Sequence, residues 1–89
     1  MFTPAERKAL KARAHKLEPV VTIGNKGLTP EVIAEIDRAL SAHELIKVRA
    51  PALDRDAREV AFVAICQQTK AEAVQHIGKV FVLFRKKDE

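Results

Sequence analysis

Apolar and polar positions recur along this chain with two different periods, and the changes of period mark out seven elements. Leu10, Ala14 and Leu17 fall at i, i+4 and i+7, so the segment from about Pro4 to Lys16 predicts a helix with one packing side. Its start is written locally. Thr3 can cap, Pro4 takes the first helical position, where no amide hydrogen is missed, and Glu6 stands three residues after the cap to complete a capping box. Pro19 pushes Glu18 out of the helical region, and Val20 to Ile23 then reads as a short buried strand. A second Thr-Pro pair, Thr29-Pro30, opens a helix to about Ala42, with Val32, Ile33, Ile36 and Leu40 as its apolar face. Leu45 to Arg49 switches to period 2: Ile46 and Val48 share one face, while Leu45, Lys47 and Arg49 share the other, which predicts a half-exposed strand.

Pro51 closes that strand, and Asp54 to Thr69 predicts a third helix with Ala57, Val60, Ala61, Ala64 and Ile65 as the buried stripe. Val74 to Ile77 and Val80 to Phe84 read as strands joined by Gly78-Lys79, a two-residue connection with glycine first, as a type II′ hairpin prefers. The order is therefore α-β-α-β-α-β-β. Strands separated by helices imply parallel pairing through right-handed crossovers, and the final hairpin adds an antiparallel pair. The fold class is α/β, a single domain over residues 1–89 with a four-stranded mixed sheet and flanking helices.

Length fits one core and excludes two independent ones. No segment approaches the roughly 18 apolar residues of a membrane span, and the N-terminal stretch, charged from Glu6 onward, has no apolar run of signal-peptide length. Cys66 is the sole cysteine, so no internal disulfide is possible. A cytoplasmic, monomeric protein with no membrane partner is the expectation. The formal charge of +4 is unevenly spread: residues 1–28 carry a balance of +4, residues 29–72 one of −2 and residues 73–89 one of +2. If the fold joins the two basic ends, they form one positive face suited to a polyanion.

Between the first strand and the second helix stands Gly24-Asn25-Lys26-Gly27. Glycines permit close approach of a ligand to the backbone, Lys26 adds a mobile positive charge, and the helix that follows offers unpaired amide groups near Thr29 to Val32, together a natural phosphate site. The same residues also suit a plain strand-to-helix turn, and spacing alone does not choose. Lys8, Lys11 and His15 form a basic stripe on helix 1, whose N-terminal half is expected beside the glycine loop; Lys47, Arg49 and Arg85 extend the patch if their faces are open. Catalysis has little support. His15, His43, His76 and Cys66 lie on different elements without metal-ligand spacing, so neither metal nor cofactor is expected. With no Tyr or Trp, extensive base stacking is not expected either, and backbone contacts would have to carry affinity.

The run AHKLEPVVTIGNKGLTPEVIAEIDRAL, then HELIKV, then VQHIGKVFVLFRK, resembles the CRM domain (chloroplast RNA splicing and ribosome maturation), in its stand-alone bacterial form, the YhbY family. The resemblance covers nearly the whole chain. It implies a fold like the C-terminal domain of translation initiation factor 3, RNA binding through a GxxG loop likened to that of KH domains, and a role with precursors of the large (50S) ribosomal subunit. Carried over by residue, Gly24, Asn25, Lys26 and Gly27 match the family loop, and Arg7, Lys8, Lys11 and His15 its positive helix. One departure is Lys70, where many members carry glycine after the third helix; a left-handed cap there costs a non-glycine residue about 1 kcal/mol, so the helix end is expected to differ. Two functions stay open: a non-enzymatic RNA-binding module that contacts ribosomal RNA in large-subunit assembly, or a protein-interaction adaptor of a ribonucleoprotein with no direct RNA contact.

Overall fold

The structure is a computed structural model that describes residues 2–87, and its elements follow the expected order. They are α1 (Pro4–Ala14), β1 (Pro19–Thr22), α2 (Pro30–His43), β2 (Leu45–Arg49), α3 (Arg55–Thr69), β3 (Glu72–Ile77) and β4 (Val80–Phe84). The α1 capping box forms as written, with Glu6 N–H donating to Thr3 Oγ1 at 3.1 Å and Thr3 N–H to Glu6 Oε1 at 3.1 Å. The helix ends at Ala14, short of Lys16, and leaves Leu17 exposed beyond it.

The sheet order is β1-β2-β4-β3. Only β1 and β2 pair in parallel; β4 runs antiparallel to both β2 and β3, so β3 shares the direction of β2 without pairing with it. The two-residue turn forces β4 beside β3, and its unbroken apolar sequence Val-Phe-Val-Leu-Phe suits a strand covered on both faces. Gly78 has φ +54 while Lys79 is outside the positive-φ residues, the backbone pattern of the expected type II′ turn.

Helices cover both faces. Under α2 and α3 lie Ile23, Ile36, Leu40, Ile46, Val48, Ile65, Phe81 and Leu83; under α1 lie Leu10, Ala14, Leu45, Val74 and Val82. Two expectations change for this reason. Strand β2 is not half exposed, because α1 lies over its Leu45 face and leaves Lys47 half-buried and only Arg49 open. Strand β1 is not a buried strand but an edge, with Val21 inside and Val20 49% exposed. The buried stripe of α3 is also rotated: Ala61, Phe62, Ile65 and Thr69 face inward and Val60 is 71% exposed. Phe62 wins the inward position because it offers more apolar area than valine and stacks on Phe81 with centroids 4.8 Å apart.

Two caps carry strain. Lys70 ends α3 in the left-handed region at φ 61, ψ 25, so the helix stops where a glycine would stop it despite having none. Glu44, the C-cap of α2, sits at φ 61, ψ −53. It is held from outside, since Arg85 N–H donates to its carbonyl at 2.9 Å and Lys87 N–H to its carboxylate at 2.8 Å.

Candidate nucleic-acid interface

Strand β1 delivers the glycine loop to the end of the sheet where β2 finishes and β4 begins. Thr22 pairs with Arg49, Arg49 pairs with Val80, and Ile23 N–H donates to the Arg49 carbonyl at 2.7 Å. The loop is a β-turn closed by Gly27 N–H donating to the Gly24 carbonyl at 3.0 Å, with Asn25 and Lys26 exposed at its apex. Neither apex residue has a positive φ, so the turn needs no glycine at its centre. Gly27 at φ +70 does favour glycine. Gly24 does not: its φ lies outside the left-handed range, and a Cβ added there meets no atom within 4 Å. A plain turn therefore accounts for one glycine of the two.

The helix end behind the loop is a weaker anion site than its sequence suggests. Pro30 has no amide hydrogen, Val32 N–H donates to Thr29 Oγ1 at 3.2 Å and Ile33 N–H to the Thr29 carbonyl at 3.0 Å. That leaves the Glu31 amide, on a residue whose own carboxylate repels anions. An anion held at this loop would depend on the turn and Lys26 rather than on the helix end.

The expected neighbours divide into two groups. Lys11, His15 and Lys47 converge on one groove over the α1 face of the sheet, floored by Val80 and Val82, and Lys8 extends the stripe one turn toward the helix N-terminus. Arg49 is exposed on the same face, next to the loop. Lys79, which in the sequence pattern only fills a turn, joins this end of the sheet: Ala50 N–H donates to its carbonyl at 2.8 Å and its side chain is exposed. A basic residue in a hairpin turn that meets the far end of a neighbouring strand was the available signal.

The other group lies elsewhere. The N-terminal half of α1 is not beside the glycine loop but at the opposite end of the sheet, where Phe2 packs edge-on against Phe84 at 5.7 Å. Arg7 is spent on structure, its Nη1 donating to the carbonyls of Ala73 and Val74 at 2.9 Å each. Arg85 does not extend the basic patch. Its guanidinium donates to Asp37 Oδ1 at 2.6 Å, the Asp37 carbonyl at 3.0 Å, Ser41 Oγ at 2.8 Å and the Thr69 carbonyl at 2.7 Å, clasping α2, α3 and β4 together. Residues 85–87 lie beside Phe2 and Glu6 at the end of the sheet remote from the loop, so the C-terminal cations do not join Lys26 and Arg49 in one face. Burial pushes the Cys66 thiol above its ordinary range, which holds it protonated and poorly nucleophilic.

Fold and site together define a class: a small α/β domain, helices on both faces of a mixed sheet, with a glycine-bracketed basic turn and further cations at one end of that sheet. Residues 2–85 match the CRS1/YhbY (CRM) domain, and the chain belongs to that family. A Haemophilus influenzae protein named "RNA-binding protein" is 46% identical over 84 residues, covering 94% of this chain and 85% of that protein. The "Probable RNA-binding protein PA4753" of Pseudomonas aeruginosa is 40% identical over 85 residues, covering 96% of this chain and 82% of that protein. The solution structure of Staphylococcus aureus SAV1595 superposes with a TM-score of 0.86 at 31% identity, covering 100% of this chain and 93% of that one.

Proposed function

We propose that this domain binds RNA without catalysing a reaction on it, gripping backbone phosphate at the Gly24–Gly27 turn. The observation that carries this reading is Gly24, a glycine whose conformation and surroundings the fold does not require and whose missing side chain leaves the turn's backbone open. Lys26 supplies the charge at the apex; Arg49, Lys79, Lys47, Lys11, His15 and Lys8 supply the path along which the phosphates continue. Names of relatives as RNA-binding proteins support the choice of polyanion. The family resemblance supports the finer assignment: the RNA is ribosomal, in precursors of the large subunit, and the domain acts there as an assembly factor; that it works as a cytoplasmic monomer is part of the same proposal.

The test is binding to a large-subunit ribosomal RNA fragment at several salt concentrations, comparing the native chain with an Asn25→Asp, Lys26→Asp variant whose folding is checked by circular dichroism. With about four to six phosphates neutralised, log Kd depends steeply on log salt, and the variant loses affinity together with about one or two units of slope. Equal binding and equal slopes for the two proteins refute the loop's role. A flat salt dependence in the native protein refutes phosphate binding altogether.

A further inference from the structure

Strand β3 contains an irregularity that changes what its residues face. Ala73 pairs with Leu83 and Gln75 with Val82, so Val74 is an extra residue, a β-bulge. In a regular strand, neighbouring side chains alternate faces, and a buried Val74 under α1 would send Gln75 to the opposite face, into the α3 core. The bulge instead puts both on the α1 face: Val74 is buried with Leu10 and Val82, while Gln75 stands half-exposed in the groove of Lys11, His15 and Lys47. After the bulge the alternation resumes, and His76 turns back to pack edge-on against Phe62 and Phe81. Arg7 braces the irregularity by donating to the carbonyls of Ala73 and Val74 from across α1.

We infer that this groove receives a single unpaired nucleobase and that Gln75 reads its edge. The inference rests on the proposed RNA binding and adds a base contact to what is otherwise backbone recognition. The groove measures about 180 Å³, well under the roughly 300 Å³ at which drug-sized pockets begin, and so suits one planar ring. Its floor of Val80 and Val82 is apolar and its rim is cationic, the complement of a flat heterocycle whose flanking phosphates lie outward. Gln75 carries an amide that both donates and accepts, which a phosphate contact does not need and a base edge does. The groove opens at the end of the sheet that bears the glycine turn, since Val80 pairs with both Arg49 and Ile77. By strand spacing it lies on the order of 10 Å from β1, within reach of the same RNA strand.

The experiment measures Kd for short single-stranded oligonucleotides of equal length, made of A, of C, of U, and of alternating G and U. The native protein is compared with Gln75→Leu, which removes the amide, and Gln75→Glu, which leaves only acceptors, each checked for an unchanged thermal midpoint. The native protein separates its best from its worst probe by at least about fivefold, the lower end for an amide-to-base contact. Gln75→Leu collapses that spread while keeping the salt slope, and Gln75→Glu reorders the probes in favour of C, whose amino group it can accept from. A native protein without preference, or a Gln75→Leu variant with the same ranking and spread, overturns the base contact and leaves the phosphate reading standing. Failure of the native protein to bind any probe or the ribosomal fragment overturns both.

Discussion

Replacing Gly24 by alanine separates what the turn needs for folding from what it needs for binding. A Cβ at position 24 enters open space and meets no positive-φ penalty. The remaining effect on stability is therefore the lower entropy of the unfolded chain, a gain of roughly 0.4–1 kcal/mol. In a domain of this size that raises Tm by roughly 2–8 °C. Gly27→Ala is the internal control: φ +70 costs an alanine roughly 1–2 kcal/mol, and Tm falls by about 4 °C or more. Binding is measured by fluorescence anisotropy against the ribosomal fragment over a salt series. Gly24→Ala weakens it, because the new methyl stands where phosphate approaches the backbone, and the slope of log Kd against log salt shrinks by about 0.7–0.9, the share of one neutralised phosphate. A Gly24→Ala protein that is more stable and binds as tightly as the native one refutes the argument, since that glycine would then serve neither fold nor ligand. A less stable one refutes the description of the turn itself.

Lys70→Gly relieves the left-handed cap of α3 and raises stability by about 1 kcal/mol, read as a higher urea midpoint with unchanged m; no gain would mean that the lysine conformation carries no strain. Arg85→Leu opens the clasp between α2, α3 and β4 and costs roughly 1.5–3 kcal/mol, while the salt slope of RNA binding stays as it is; a reduced slope would return Arg85 to the interface. The hydrogen bonds from Thr3 hold the Glu6 carboxyl below its ordinary value of 4.5, so its contribution is present above that pH and disappears as the pH falls through the lowered folded value. The stability difference between the native protein and Glu6→Gln consequently narrows on acidification from pH 6 to about 3, and a constant difference over that range would contradict the capping box.

Local signals proved readable because they act over a few residues. The Thr3–Glu6 box, the Thr29 cap, the Gly78-Lys79 turn and the apolar face of α2 all depend on neighbours in sequence and form as expected. What the pattern could not give was which side of each strand is covered, for that depends on where α1 crosses the sheet. Leu45 and Lys47 share a face in any strand, but only the position of α1 makes one buried and the other half-buried. The same holds for charge. Arg7 and Arg85 look like surface cations in the sequence and become structural donors because carbonyls of distant strands and helices meet them. Val60 left the core because Phe62, two residues on, had Phe81 to stack on, a pairing between segments far apart in the chain. Of the loop, sequence showed two equivalent glycines; geometry made them different.

The insertion of β4 between β2 and β3 has a kinetic consequence. Both of those strands are synthesised first, yet they do not pair with each other: β2 waits for residues 80–84 to fill its second edge, and β3 waits for them to be paired at all. Until then a nascent chain can close the parallel β1–β2 pair and its helices but must leave the inner edges of β2 and β3 without a partner, the kind of edge that recruits other chains. Assembly is thus gated by the completion of Phe84, a late and non-local step that favours slow, all-or-none folding over stepwise growth from the N-terminus.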